Sequence, residues 1–324
     1  MNLPVGVIMR FIVVLLLLTA CEHTRKPLSF YYWKTTFSLN AFEKKILQEQ
    51  QVKKLYIRYF DVDDTGPIAP IQLHDAINQF EVVPVIYIKN KTFEKSDSTL
   101  ARKIFILASR IHQTSEIQFD CDWTLSTRDN YFEFLRQYKR LSNQTVTATI
   151  RLHQVKYKQR TGVPPVDRGI LMYYNMGEIN PGTSNSIYEK NIAGRYNQFI
   201  KSYPLELDIA LPIFSWGYIV REGKVVRLLN KMNVDHFKND SNFVAAGENR
   251  FRVQHACFKA GYYFQQQDMV KLEHVPEKEL LDISKDIKKY AGRTLGEVIL
   301  YDLDSSNIVQ YDKDLFEKIL DNLD

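Results

Sequence analysis

The stretch "EIQFDCDWT", residues 116–124, alternates along its whole length. Successive side chains of a strand point to opposite faces. One face therefore carries Gln118, Asp120, Asp122 and Thr124, and the other Ile117, Phe119, Cys121 and Trp123. A wholly apolar face suits packing beneath a layer of helices. The polar face then points into a barrel interior and rises toward its C-terminal mouth, where barrels of this type place their chemistry. Two carboxylates in such a place need hydrogen bonds or a shared proton.

Working outward, short β-rich runs alternate with helical patterns. The remaining runs cover 30–36, 54–62, 82–90, 146–155, 169–179, 207–220 and 297–303. The spacing of apolar residues predicts helices over 39–51, 99–112, 128–141, 191–202, 277–290 and 312–323, with Ser126 as N-cap of the third. Eight strands alternating with helices predict a (β/α)8 barrel of the TIM type. Residues 156–168, with "GVPPVDRG", read as loop. Residues 221–275 read as a small β-rich insertion after the seventh strand. A split into two domains near Tyr203 is the competing architecture.

The N-terminus is set apart from the rest. Residues 11–18 are apolar, follow the single cation Arg10, and are too few to span a bilayer. "LTAC", residues 18–21, resembles the lipobox of bacterial lipoproteins. That resemblance implies cleavage before Cys21 and acylation of it. Residues 1–20 are then a signal peptide, 21–28 a tether, and 29–324 the barrel. The implied setting is the bacterial cell envelope, with a lipid-anchored protein on the outer membrane facing the periplasm. The formal charge of +5 is spread along 324 residues, with no basic stripe that would argue for nucleic acid. No Cys/His cluster has metal-ligand spacing, and no cofactor is implied. Cys121 reads as a small core hydrophobe. Oligomeric state is open.

Four segments together resemble the family 18 glycoside hydrolases, the chitinases and endo-β-N-acetylglucosaminidases. "FDCDWT" is similar to their fourth-strand D-x-x-D-x-D-x-E. "MYYN", residues 172–175, is similar to their sixth-strand M-x-Y-D. "LPIFSWGY", residues 211–218, resembles the seventh-strand region, and "GEVILYDLDS", residues 296–305, the eighth, with Tyr301 where the family has a Trp. The first of these also resembles a bacterial lipoprotein group with chitinase-like barrels. The resemblance implies a glycan as partner and Asp120 and Asp122 in the second and third Asp positions. It departs from the pattern at Ile117, at Asn175 and above all at Thr124, which stands where the family has its acidic Glu. A threonine hydroxyl does not serve as a general acid near neutral pH, and losing that group costs about 10²–10⁴ in rate.

The expected site therefore has Asp120, Asp122 and Glu178 as the candidate catalytic carboxylates, Glu178 by its place at the end of the sixth strand. Asp61 and Asp304 are further acids at strand ends. Tyr174, Trp216 and Tyr301 offer flat faces for sugar rings, and Asn175 follows Tyr174. Arg151 and His153 share a strand face with Thr147 and Thr149. Two functions compete on this reading. One is a hydrolase with a relocated acid. The other is a non-catalytic lipoprotein for glycan binding or envelope assembly.

Overall fold

A computed structural model of the chain describes residues 25–291 and 295–324. The expected signal peptide and the stretch that resembles a lipobox lie outside the described residues. Among the described residues, no helix is long and apolar enough to cross a membrane.

The fold is a closed (β/α)8 barrel. Its strands are β1 (Leu28–Tyr32), β2 (Lys54–Asp63), β3 (Glu81–Ile88), β4 (Glu116–Asp120), β5 (Thr145–Arg151), β6 (Arg168–Met172), β7 (Leu207–Pro212) and β8 (Leu295–Tyr301). Each pairs in parallel with its sequence neighbour, and β1 closes the ring on β8, with Phe30 opposite Leu300. Each of the eight β-rich runs supplies one barrel strand.

The alternation in β4 holds. Phe119 faces outward, and its ring meets Phe134 and Tyr138 of the helix Arg128–Leu141 at 5.0 and 4.8 Å. Gln118 faces inward, where its amide donates to the Tyr31 hydroxyl at 2.6 Å. Trp123 stacks on Tyr131 at 5.4 Å and is buried, so it belongs to the shell around the barrel.

The lower end of the barrel is closed by a charged layer. Arg168 bridges Glu116, at 2.7 Å, and Asp208. Lys54 reaches Glu116 and Glu297 at 3.6 and 3.4 Å. Glu297 also accepts from Ser29 and from Tyr56. Three buried carboxylates face two cations here, and burial pushes the Glu116 and Glu297 carboxyls up. The chemistry sits at the other end of the barrel.

Some expected boundaries move. The run 207–220 is two strands. The chain leaves the barrel after Pro212, and Trp216–Arg221 joins a separate five-stranded antiparallel sheet. That sheet lies between β7 and β8, starts five residues before the expected boundary at 221, and buries its own core around Phe237, Phe243, Phe251 and Phe264. The expected helix over 191–202 is a short helix, Lys190–Gly194, and a 3-10 turn, Asn197–Ser202. The helix Arg128–Leu141 starts after Thr127 rather than Ser126. The Ser126 hydroxyl instead meets that of Thr124 at 2.9 Å.

Candidate functional site

The C-terminal mouth of the barrel opens into a cavity of about 600 Å³. A second hollow of about 430 Å³ adjoins it over β4–β6 and shares Asp122, Arg151, Tyr174 and Asn175 with it. Together they form one cleft.

Aromatic rings make its walls. Tyr301, the last residue of β8, stacks on Tyr174 with centroids 5.4 Å apart and rings inclined by 29°. Trp33 and Phe214 close on Tyr301 at 5.4 and 5.5 Å, and Trp216 continues the wall beyond Phe214. The Trp216 indole is held by its N–H, which donates to Glu273 at 3.1 Å. Glu273 is itself a buried hub. It accepts also from Ser186, Tyr218 and Lys271. Burial opposes its charge, yet these hydrogen bonds hold its carboxyl below the usual range. The inserted sheet thus fixes a wall of the cleft rather than merely decorating the barrel.

Charged groups form the floor. The polar face of β4 meets the polar face of β5, as their alternation requires. Thr149 donates to Asp120 at 2.8 Å, and Arg151 forks onto both oxygens of Asp122. On β2, Arg58 forks onto Asp61 at 2.8 and 2.6 Å. From the inserted sheet Lys231 reaches in, paired with Asp304 at 2.6 Å. Asp302, directly after Tyr301, accepts from Asn307 at 2.6 Å.

Two of these carboxyls are perturbed. Burial, aided by the neighbouring Asp122 charge, pushes Asp120 up to about 6. Burial also pushes Asp302 up to about 6, against the pull of Lys231. Asp304 is held low by Lys231 and Ser306 despite burial, and it caps the helix Ser305–Ile308.

Of the residues expected from sequence, Asp120, Asp122, Arg151, Tyr174, Asn175, Trp216 and Tyr301 all line the cleft. So does Asp61, whereas Asp304 lies behind Lys231. His153 lines the second hollow, but not from a strand face. β5 ends at Arg151, and Leu152–Lys156 is helical. Partial burial and Arg151 push the His153 pKa down. Glu178 lies exposed on the loop after β6 and lines neither hollow. Thr124 sits at the edge of the second hollow, its hydroxyl engaged with Ser126 and Thr127. No glutamate lines either hollow among the described residues.

Asn175 takes a left-handed backbone, φ 52°, which asparagine tolerates better than most residues. Its side-chain oxygen is buried without a hydrogen-bond partner. Trp33, Lys231 and Asp302 were not among the expected site residues. Trp33 stands just after β1 and Asp302 just after β8, so their places beyond strand ends were the available signal.

A (β/α)8 barrel with an aromatic, acidic cleft at its C-terminal mouth is the class of protein that fold and site define. Among solved structures the chain is similar to the Bacillus cereus spore cortex-lytic enzyme SleL, at a TM-score of 0.57 and 13% identity over 94% of this chain and 76% of that one. At that identity the likeness shows a shared fold and nothing finer. It is also similar to a xylanase-alpha-amylase inhibitor protein, XAIP-I, solved with trehalose, at a TM-score of 0.48 and 11% identity over 91% of this chain and 98% of that one. The latter score adds nothing to the fold assignment. No family model and no curated protein matches the chain.

Proposed function

We propose that this protein recognises glycans in the mouth of its barrel without hydrolysing them by the family 18 route. The observation that carries this reading is the state of the carboxylates beside an intact aromatic cleft. By the sequence resemblance, Thr124 takes the place of that family's acid. Arg151 occupies both oxygens of Asp122, the position that would orient an N-acetyl group. Aromatic walls and hydrogen-bonding floor groups are what sugar recognition needs, since a pyranose presents an apolar face and a polar rim.

A hydrolytic alternative rests on a different pair. Asp120 and Asp302 both carry a carboxyl pushed up to about 6, in the range useful to a general acid. It requires the two to flank one glycosidic bond.

The lipobox resemblance supports an envelope lipoprotein anchored through Cys21, with the outer membrane and the periplasm as the proposed setting. Cys21→Ser is expected to move the protein from the membrane to the soluble fraction. Unchanged membrane association would remove this part of the reading.

The cleft itself is tested by calorimetric titration of the soluble domain with chitin-type and peptidoglycan-type oligosaccharides. Saturable binding is expected, and Trp216→Ala is expected to weaken it at least about tenfold, which is about 1.4 kcal/mol. Equal affinity in the variant would place sugar binding elsewhere.

A further inference from the structure

The charges around the cleft do not cancel. Each cation that lines it is already engaged with a carboxylate: Arg58 with Asp61, Arg151 with Asp122, and Lys231 with Asp304. Asp120 and Asp302 have no direct partner of this kind, and Arg151, Lys231 and Lys34 act on them only at longer range. Each is more than nine-tenths buried, at 8% and 4% exposure, and each lines the cavity. Each has one neutral hydrogen-bond donor, Thr149 or Asn307, and no cation within ion-pair distance among the described residues. Two buried side-chain oxygens among the cavity-lining residues, those of Asn175 and Asn307, have no hydrogen-bond partner.

A buried carboxylate without a counter-charge is costly, and a protein interior relieves it by pairing or by protonation. The unfilled demand here is for a positively charged donor of hydrogen bonds. A metal ion is the less suitable answer, because it needs several ligand atoms converging on one point. Among the described residues, the one trio of acids close enough for that is Glu277, Asp312 and Asp314, outside the cleft. The aromatic wall beside Asp120 and Asp302 wants a flat apolar body attached to the cation.

We propose that the cleft selects glycans carrying free, protonated amines, deacetylated hexosamines, with Asp120 and Asp302 each the counter-charge of one amine. Asp120 and Asp302 stand on opposite sides of the barrel mouth, on β4 and just after β8, so amines on different sugars of one oligomer answer them, and a pyranose face lies on the wall of Tyr301 and Trp216. An N-acetyl group in the same place would bury its methyl and carbonyl against oxygen acceptors and leave the charge uncompensated. This rests on the glycan-binding reading above and names its ligand class.

The test compares glucosamine oligomers with N-acetylglucosamine oligomers of equal length, by calorimetry near neutral pH. The amine form is expected to bind at least tenfold tighter, and the advantage to shrink as salt rises. Asp302→Asn and Asp120→Asn, both near-isosteric, are expected to narrow the preference to below about threefold. Equal or tighter binding of the acetylated oligomer, weakened by Trp216→Ala, overturns the amine preference and leaves the glycan-binding reading standing. A preference that survives both Asp variants overturns the role of these residues. No binding of either oligomer overturns both proposals.

Discussion

Arg168→Met is expected to destabilise the fold by about 3–5 kcal/mol at pH 7, the usual cost of removing one partner from a buried charge network. Arg168 holds Glu116 and Asp208 together at the closed end of the barrel, and Asp208 is 2% exposed. Asp208 also accepts the backbone N–H of Glu297 at 2.8 Å, so the pair ties β6 and β7 to β8. Lys54 is the remaining cation of the layer and cannot balance three acids alone. The loss should shrink in acid, where the stranded carboxyls take up protons. Urea unfolding at pH 7 and pH 4 measures this. A change below about 1 kcal/mol at pH 7 would show that water screens the layer well enough to replace the arginine.

Asp120→Asn is expected to do the opposite, raising stability while harming recognition. The Asp120 carboxyl lies at about 6 in the fold against an ordinary value of 3.8. A group raised in this way favours folding when protonated. Its contribution is fully present below the unfolded value and is lost as pH rises through the folded one. The wild type should therefore give up stability from this group between about pH 4 and pH 7. A shift of about two units amounts to roughly 3 kcal/mol. Asparagine does not titrate and can still accept from Thr149. The variant should match the wild type near pH 4 and exceed it by up to roughly 3 kcal/mol near pH 8. Thermal unfolding across that range checks the sign. Unchanged or lower stability at pH 8 would mean that the carboxylate is already compensated in the free protein, and the inference about an amine ligand would lose its basis. Residues held at the expense of stability in a concave site are the usual mark of function.

Much of this was legible from sequence because a barrel strand has a strict period of two. Ile117 and Phe119 could only face the helices, and Gln118 and Asp120 could only face inward. The same logic put Thr147, Thr149 and Arg151 on one polar face of β5, and in the structure Thr149 meets Asp120 and Arg151 meets Asp122. It failed where the strand ended sooner than the polar pattern did. His153 continued the alternation on paper, but the chain turns into a helix at Leu152, with the Gln154 side chain accepting the Arg151 N–H at 2.8 Å. The run 207–220 reads as one strand because both halves are apolar. What divides it is pairing with Lys224–Asn230 and Met269–Glu273, which lie downstream and cannot be seen in the run itself. Lys231 entered the cleft through that sheet and was unreadable for the same reason. Asp302 escaped because alternation from Tyr301 assigns it to the outer face, and β8 stops at Tyr301. Glu178 follows β6 in the sequence, but the loop carries it into solvent.

The central claim is recognition without family 18 hydrolysis, and release of reducing ends tests it most directly. The soluble domain, at a concentration equal to that of the oligosaccharide, is incubated with glucosamine and N-acetylglucosamine oligomers at pH 5 and pH 7, and chain cleavage is followed with Asp120→Asn in parallel. The account predicts binding by the wild type and no new reducing ends at either pH. Reducing ends that accumulate with the wild type and vanish with Asp120→Asn would contradict it, and would make the Asp120 carboxyl the acid of a hydrolase.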